Sequence, residues 1–188
     1  MATMEPTPTM ADHLATSVRV TGQIVAGVPA DRADDPTPCP DYEVHHLVDH
    51  LVGWATSFAD RALGVTPPTD PASVSAGPDP AASYATQTAR MLEGYGGSGP
   101  ADGAVSVDVA LIESVVHGWD LAMATGQSAP YPSPVLEAAL AAGEAMLQPE
   151  YRGPGKSFGP QVEVPSSAPV LDRLVGFMGR DPGWKPPV

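Results

Sequence analysis

Glu113 and His117 stand four residues apart in the string IESVVHGWDLAMA. On a helix their side chains point the same way, separated by roughly 40° around the axis, so one metal ion can reach both. On the same wheel Val109, Ala110, Val116, Leu121 and Ala124 flank the pair. A carboxylate in such an apolar stripe must find a counter-charge or a metal ion, or else take up a proton. His50 supplies the complement, because helical spacing sets it beside Leu47, Leu51, Trp54 and Phe58, facing the core from a different helix. A histidine from one helix and a Glu-x-x-x-His pair from another is how bundles build metal sites, and three protein ligands leave positions open for water or substrate. The competing reading is a buried Glu–His ion pair beside a satisfied core histidine. The E-x-x-x-H spacing recurs by chance in many helices and does not choose between the two.

Other residues near these have plainer roles. His46 makes a second i, i+4 pair with His50 and is a candidate fourth ligand, but its wheel position, with His45 and Asp49, is that of a rim residue. Cys39 lies where a helix start could lower its pKa, but the reading favoured is a small buried packing residue. Trp54 and Trp119 read as core rather than as a substrate platform. Asp120, one turn beyond His117, is either a hydrogen-bond partner of that ring or a polar neighbour of the site.

The elements that must carry these residues can be read from apolar periodicity and its punctuation. A first helix runs from about Met10 to Val28, ended by Pro29 and DRADDPTPCP. Asp41 is placed to cap a second, with Glu43 in its first turn, running to about Leu63. A third spans about Pro80 to Tyr95, and GYGGSGPADG breaks it without the Gly-Lys-Ser/Thr of a phosphate loop. The fourth spans about Val105 to Thr125 with Gly126 as its cap, and an alanine-rich helix follows from about Pro134 to Leu147. Ser167, Ala168 and Pro169 precede a short last helix in LDRLVGFMG, and DPGWKPPV is an extended tail able to pack back through Trp184. With no alternating pattern strong enough for a sheet, the class is all-α.

Length and composition bound the rest. The 188 residues suit a single domain, 1–188, with extended termini at about 1–9 and 180–188. A formal charge of −13, with nine scattered Lys and Arg, argues against nucleic acid and against an anionic membrane surface. Without a long apolar stretch or a basic leader, the expected location is the cytoplasm. A single cysteine excludes an intramolecular disulfide and a cysteine zinc finger, so any metal must rely on nitrogen and oxygen ligands. The expected partner is a small-molecule substrate, and the expected state a monomer or homodimer.

Three strings in order, TPCPDYEVHHLVDHLVGW, IESVVHGWDLAMATGQ and APVLDRLVGFMGRDPGW, resemble the DinB-like family of the metal-binding N-terminal domain of mycothiol-dependent maleylpyruvate isomerase. The likeness is greatest to its stand-alone, single-domain actinobacterial members. It implies a DinB-like four-helix bundle with a long crossover and extra C-terminal helices. It also implies a divalent metal, zinc first and nickel second, on His50, Glu113 and His117, the same three the wheels select. In such relatives the metal turns a low-molecular-weight thiol such as mycothiol into a thiolate for transfer or isomerisation. Tyr42 stands where Trp is usual, His45 and His46 alter the rim, the stretch GGSGPADGAVSVD is short, and a counterpart of the isomerase's C-terminal domain is not expected. Three functions follow: a metal-dependent thiol transferase or isomerase, a biosynthetic lyase, cyclase or hydrolase reusing the metal, and a non-catalytic metal- or small-molecule-binding protein.

Overall fold

A computed structural model describes residues 7–96, 99–153 and 158–187. Its elements are α1 (Met10–Ala26), α2 (Val44–Ala62), α3 (Pro80–Tyr95), α4 (Val107–Thr125), α5 (Ser133–Met146) and α6 (Val170–Phe177), with three short 3₁₀ turns. Among the described residues there is no β-strand, and the all-α expectation holds.

The helix ends show how local chemistry sets the boundaries. Thr9 and Asp12 form a reciprocal capping box on α1, Asp79 accepts from the Ala82 N–H ahead of Pro80 in α3, and Ser106 accepts from Asp108 N–H in α4. Gly126 ends α4 at φ 71°, a left-handed conformation that favours glycine. The expected Asp41 cap is not formed: α2 starts two residues later than an Asp41 cap requires, with Glu43 at the N-cap and no capping side chain. The preceding loop takes over, because the N–H groups of Val44 and His45 donate to the carbonyls of Asp35 and Ala33.

α1 to α4 form the bundle, with α1 and α2 at opposite corners, each packed between α3 and α4. α2 and α3 run parallel. Asp49, early in α2, accepts from the Ala76 N–H just before α3, while Asp60, late in α2, holds Arg90 near the end of α3 at 2.7 Å. Parallel neighbours need a long return, and residues 63–79 provide the expected crossover. Gly53 lets that crossover lie against α2, since a side chain there would collide with the Pro71 carbonyl. α5 packs on α4 and α1, and α6 packs on α5. The core is built from Leu14, Leu47, Phe58, Leu111, Val115 and Leu121, each at most 2 % exposed.

A buried polar knot fixes α1, α4 and the segment before α5. Thr21 Oγ1 lies 2.9 Å from the Ser114 carbonyl and 2.8 Å from the Tyr131 hydroxyl. Gly118 makes room for it, because a Cβ at that position would overlap the Tyr131 oxygen. The glycine beside His117 is therefore a packing requirement of the helix that carries the site.

Candidate metal centre

α2 and α4 bring His50, Glu113 and His117 together as the helical wheels anticipate. Glu113 Oε2 lies 3.3 Å from His50 Nε2 and 3.3 Å from His117 Nε2, and the two rings are 4.6 Å apart, centroid to centroid. Their side chains are 14 %, 25 % and 10 % exposed in the order His50, Glu113, His117. Burial alone would raise the carboxyl's pKa, but the two imidazoles, with a smaller effect from Arg180, hold it below the ordinary carboxylate range.

His117 is held from behind. Its Nδ1 lies 3.0 Å from Asp120 Oδ2, and the fully buried Asp120 carboxylate in turn accepts from Arg180, at 3.1 Å from Nη2 and 3.3 Å from Nε. With Asp120 Oδ2 already accepting from Arg180, a neutral His117 ring that donates to it from Nδ1 would present its Nε2 lone pair to Glu113 Oε2. Two acceptors then face each other across 3.3 Å. That contact calls for a proton or a cation between them.

The remaining candidates separate cleanly. His46 is 58 % exposed on its side chain and faces Glu43 at 3.9 Å, on the rim, where His45 also lies. Glu43, His45 and His46 form a second grouping with metal-ligand spacing, but on the surface. Cys39 is buried, 6 % exposed, and desolvation pushes its thiol up to about 11, so it is a packing residue without thiolate character. Although Cys39, His117 and Asp120 also fall within ligand spacing, the carboxylate is already committed to Arg180. Trp119 is 3 % exposed and belongs to the core, as expected, whereas Trp54 is only partly buried and reaches the site. Sequence reasoning missed Arg180 and counted residues 180–188 as an extended terminus. The trace in the sequence was a lone basic residue inside the motif string GRDPGW, in a chain with only nine Lys and Arg.

A cleft of about 520 Å³ opens beside His50. Tyr42 and Trp54 give it aromatic walls, Asp41 and Asp49 line it with carboxylates, and Pro71 and Val74 of the crossover form part of its lining. The Tyr42 ring sits 4.6 Å from the His50 ring and 6.2 Å from the His117 ring.

The all-helical bundle is consistent with a DinB-like fold, and α2 and α4 bring a candidate donor set together inside it. The family model for the mycothiol maleylpyruvate isomerase N-terminal domain matches residues 14–95, which run from the first turns of α1 to the end of α3 and include His50. Two relatives extend the match through α4: Uncharacterized protein MT0763 of Mycobacterium tuberculosis (strain CDC 1551 / Oshkosh) and Uncharacterized protein Rv0738 of Mycobacterium tuberculosis (strain ATCC 25618 / H37Rv). Each is 32 % identical over 163 residues, covering 84 % of this chain and 90 % of the relative. The chain belongs to the mycothiol maleylpyruvate isomerase N-terminal domain family. No solved structure matches it significantly. Among the described residues no helix is long and apolar enough to cross a membrane.

Proposed function

We propose that His50, Glu113 and His117 hold one divalent cation, zinc before nickel, in a metal-dependent enzyme resembling the mycothiol-dependent transferases and isomerases. The observation that carries this reading is the pair of 3.3 Å separations between Glu113 Oε2 and the two imidazole nitrogens. A tetrahedron with ligand bonds of about 2.0 Å has edges of about 3.3 Å, which the two separations from Glu113 match, and all three donor atoms lie within 4.8 Å of one another. An oxygen and two nitrogens are the hard-to-borderline donor set that suits such an ion.

When bound, the cation would lower the pKa of a coordinated thiol or water, or polarise a carbonyl. The protein's part is positional. Asp120 keeps the His117 lone pair directed forward, Tyr42 and Trp54 shield the rings from bulk water, and the cleft admits a ligand from the His50 side. His46 turned outward leaves three protein donors, which favours a catalytic site over a closed structural one. The cleft lining includes Asp41 and Asp49 but no Lys or Arg, which favours a neutral or cationic substrate over a polyanion.

The test is elemental analysis of the purified protein followed by titration of a cobalt-substituted sample with a small thiol. A shifted cobalt spectrum supports the thiol reading. An unchanged spectrum moves the assignment to a lyase, cyclase or hydrolase using the same ion. His117→Ala that binds metal as tightly as wild type removes the ligand assignment altogether.

A further inference from the structure

Asp120 has no exposed surface, and Arg180 reaches it from the segment after α6, sixty residues further along the chain. Two Arg180 nitrogens, Nε and Nη2, approach Asp120 Oδ2, the same oxygen that lies 3.0 Å from His117 Nδ1. Arg180 Nη1 is anchored separately, donating to the Met178 carbonyl at 2.9 Å, which fixes the guanidinium relative to the end of α6. An oxygen that accepts from two guanidinium nitrogens is held in place, and its remaining lone-pair direction is set toward the ring hydrogen.

We infer that Arg180 is a positioning residue of the metal centre: by gripping Asp120 Oδ2 from the anchored end of α6, it orients that oxygen on His117 Nδ1 and fixes the ring in the tautomer whose Nε2 lone pair faces Glu113 and His50. The chain Arg180–Asp120–His117 makes the C-terminal segment part of the site, although it supplies no ligand. Asp120 touches α4's own ligand on one side and the tail on the other, so displacement of the tail is felt at the ring nitrogen. The inference deepens the proposed metal reading and rests on it for its effect on affinity. Its effect on the ring is independent of any metal.

Two measurements separate these. Nitrogen-15 spectra of the histidine rings are recorded on metal-free wild type, Arg180→Met and Arg180→Lys at about pH 8, where histidine rings are in general neutral. Wild type should show His117 with its hydrogen on Nδ1, Arg180→Met a mixture of tautomers, and Arg180→Lys, which keeps the charge but not the fork, an intermediate pattern. Zinc dissociation constants by chelator competition should weaken by about 10- to 100-fold in Arg180→Met and by less in Arg180→Lys. A wild-type His117 hydrogen on Nε2 overturns the inference without any variant. A folded Arg180→Met with the wild-type tautomer and wild-type zinc affinity also overturns it. Should Arg180→Met not fold, Arg180→Lys decides: an unaltered tautomer and affinity count against the guanidinium fork, and a shift in either supports it. If wild type binds no zinc yet shows the Nδ1 tautomer and its loss in the variants, the metal reading fails and the positioning chain stands.

Discussion

Replacing Glu113 by Gln tests the centre because its expected effect changes sign with conditions. In the metal-free protein above the pH where histidines carry a second proton, Glu113 Oε2 faces the His117 Nε2 lone pair at 3.3 Å with no hydrogen between them. The Gln amide can turn its N–H into that gap and gain a hydrogen bond of about 1 kcal/mol. Below that range the protonated rings donate to the carboxylate, and charge-assisted bonds of about 1.5–3 kcal/mol are lost in the variant. The linkage is consistent. The charged imidazoles lower Glu113's pKa in the folded state, so its contribution is present above the unfolded-state value of about 4.3, is lost as pH falls through the lower folded value, and fades at high pH as the rings lose their charge. Metal-free Glu113→Gln should therefore melt below wild type at about pH 5.5 and level with or above it at about pH 8, by about 2–4 °C per kcal/mol. Metal reverses the second result. If the roughly 10–16 kcal/mol of a four-ligand zinc site is shared evenly, one ligand carries about 2.5–4 kcal/mol, or about 60- to 700-fold in Kd. Calorimetric melting with and without zinc at both pH values is the assay. A variant that binds zinc like wild type, or that loses the same stability at both pH values without metal, refutes the reasoning.

Further outcomes follow from the rest of the structure. Gly118→Ala should lower stability by about 2–4 kcal/mol in chemical denaturation, since the new methyl displaces the Tyr131 hydroxyl from Thr21 and Ser114; an effect below about 0.5 kcal/mol counts against the knot. Burial would raise the pKa of Asp60, but its bonds from Thr69 and Arg90 outweigh that and lower it, so its contribution is present above about pH 4 and fades as pH falls through the folded value. Asp60→Asn should then cost about 2–3 kcal/mol near pH 7 and much less near pH 3, read from thermal melts at the two values. Cys39, with its thiol raised to about 11, should resist alkylation by iodoacetamide at about pH 8 until the protein is unfolded; rapid labelling of the native protein contradicts its packing role.

The parts of the site that lie on long periodic helices were legible in the sequence. Hydrophobic period placed His50 among Leu47, Leu51 and Phe58, and Glu113 and His117 on one stripe of α4, because burial of a helix face is a regular function of residue number. The same wheel put His46 nearer the rim, where it is found. Asp41 misled because capping propensity is local, whereas the first N–H groups of α2 are satisfied by carbonyls of a loop about ten residues earlier. Arg180 was illegible for a related reason. It follows the last helix in a segment without period, and only the packing of α6 against α5 brings it to Asp120. Trp54 was read as core because its neighbours on the wheel are apolar, but the path of the crossover leaves one side of it on the cleft.

The crossover between α2 and α3 also divides labour within the molecule. Its polypeptide is pinned at two places, by Asp60 to Thr69 and by Asp49 to Ala76, and between these pins it contributes Pro71 and Val74 to the lining of the cleft. The residues that would grip an ion sit on rigid helices, whereas this stretch of lining is surface loop that carries none of those three donors. Mutational drift or deliberate grafting between the two pins could therefore retune which molecule is admitted while leaving the inorganic chemistry intact, a ready route by which one scaffold diversifies into many specificities.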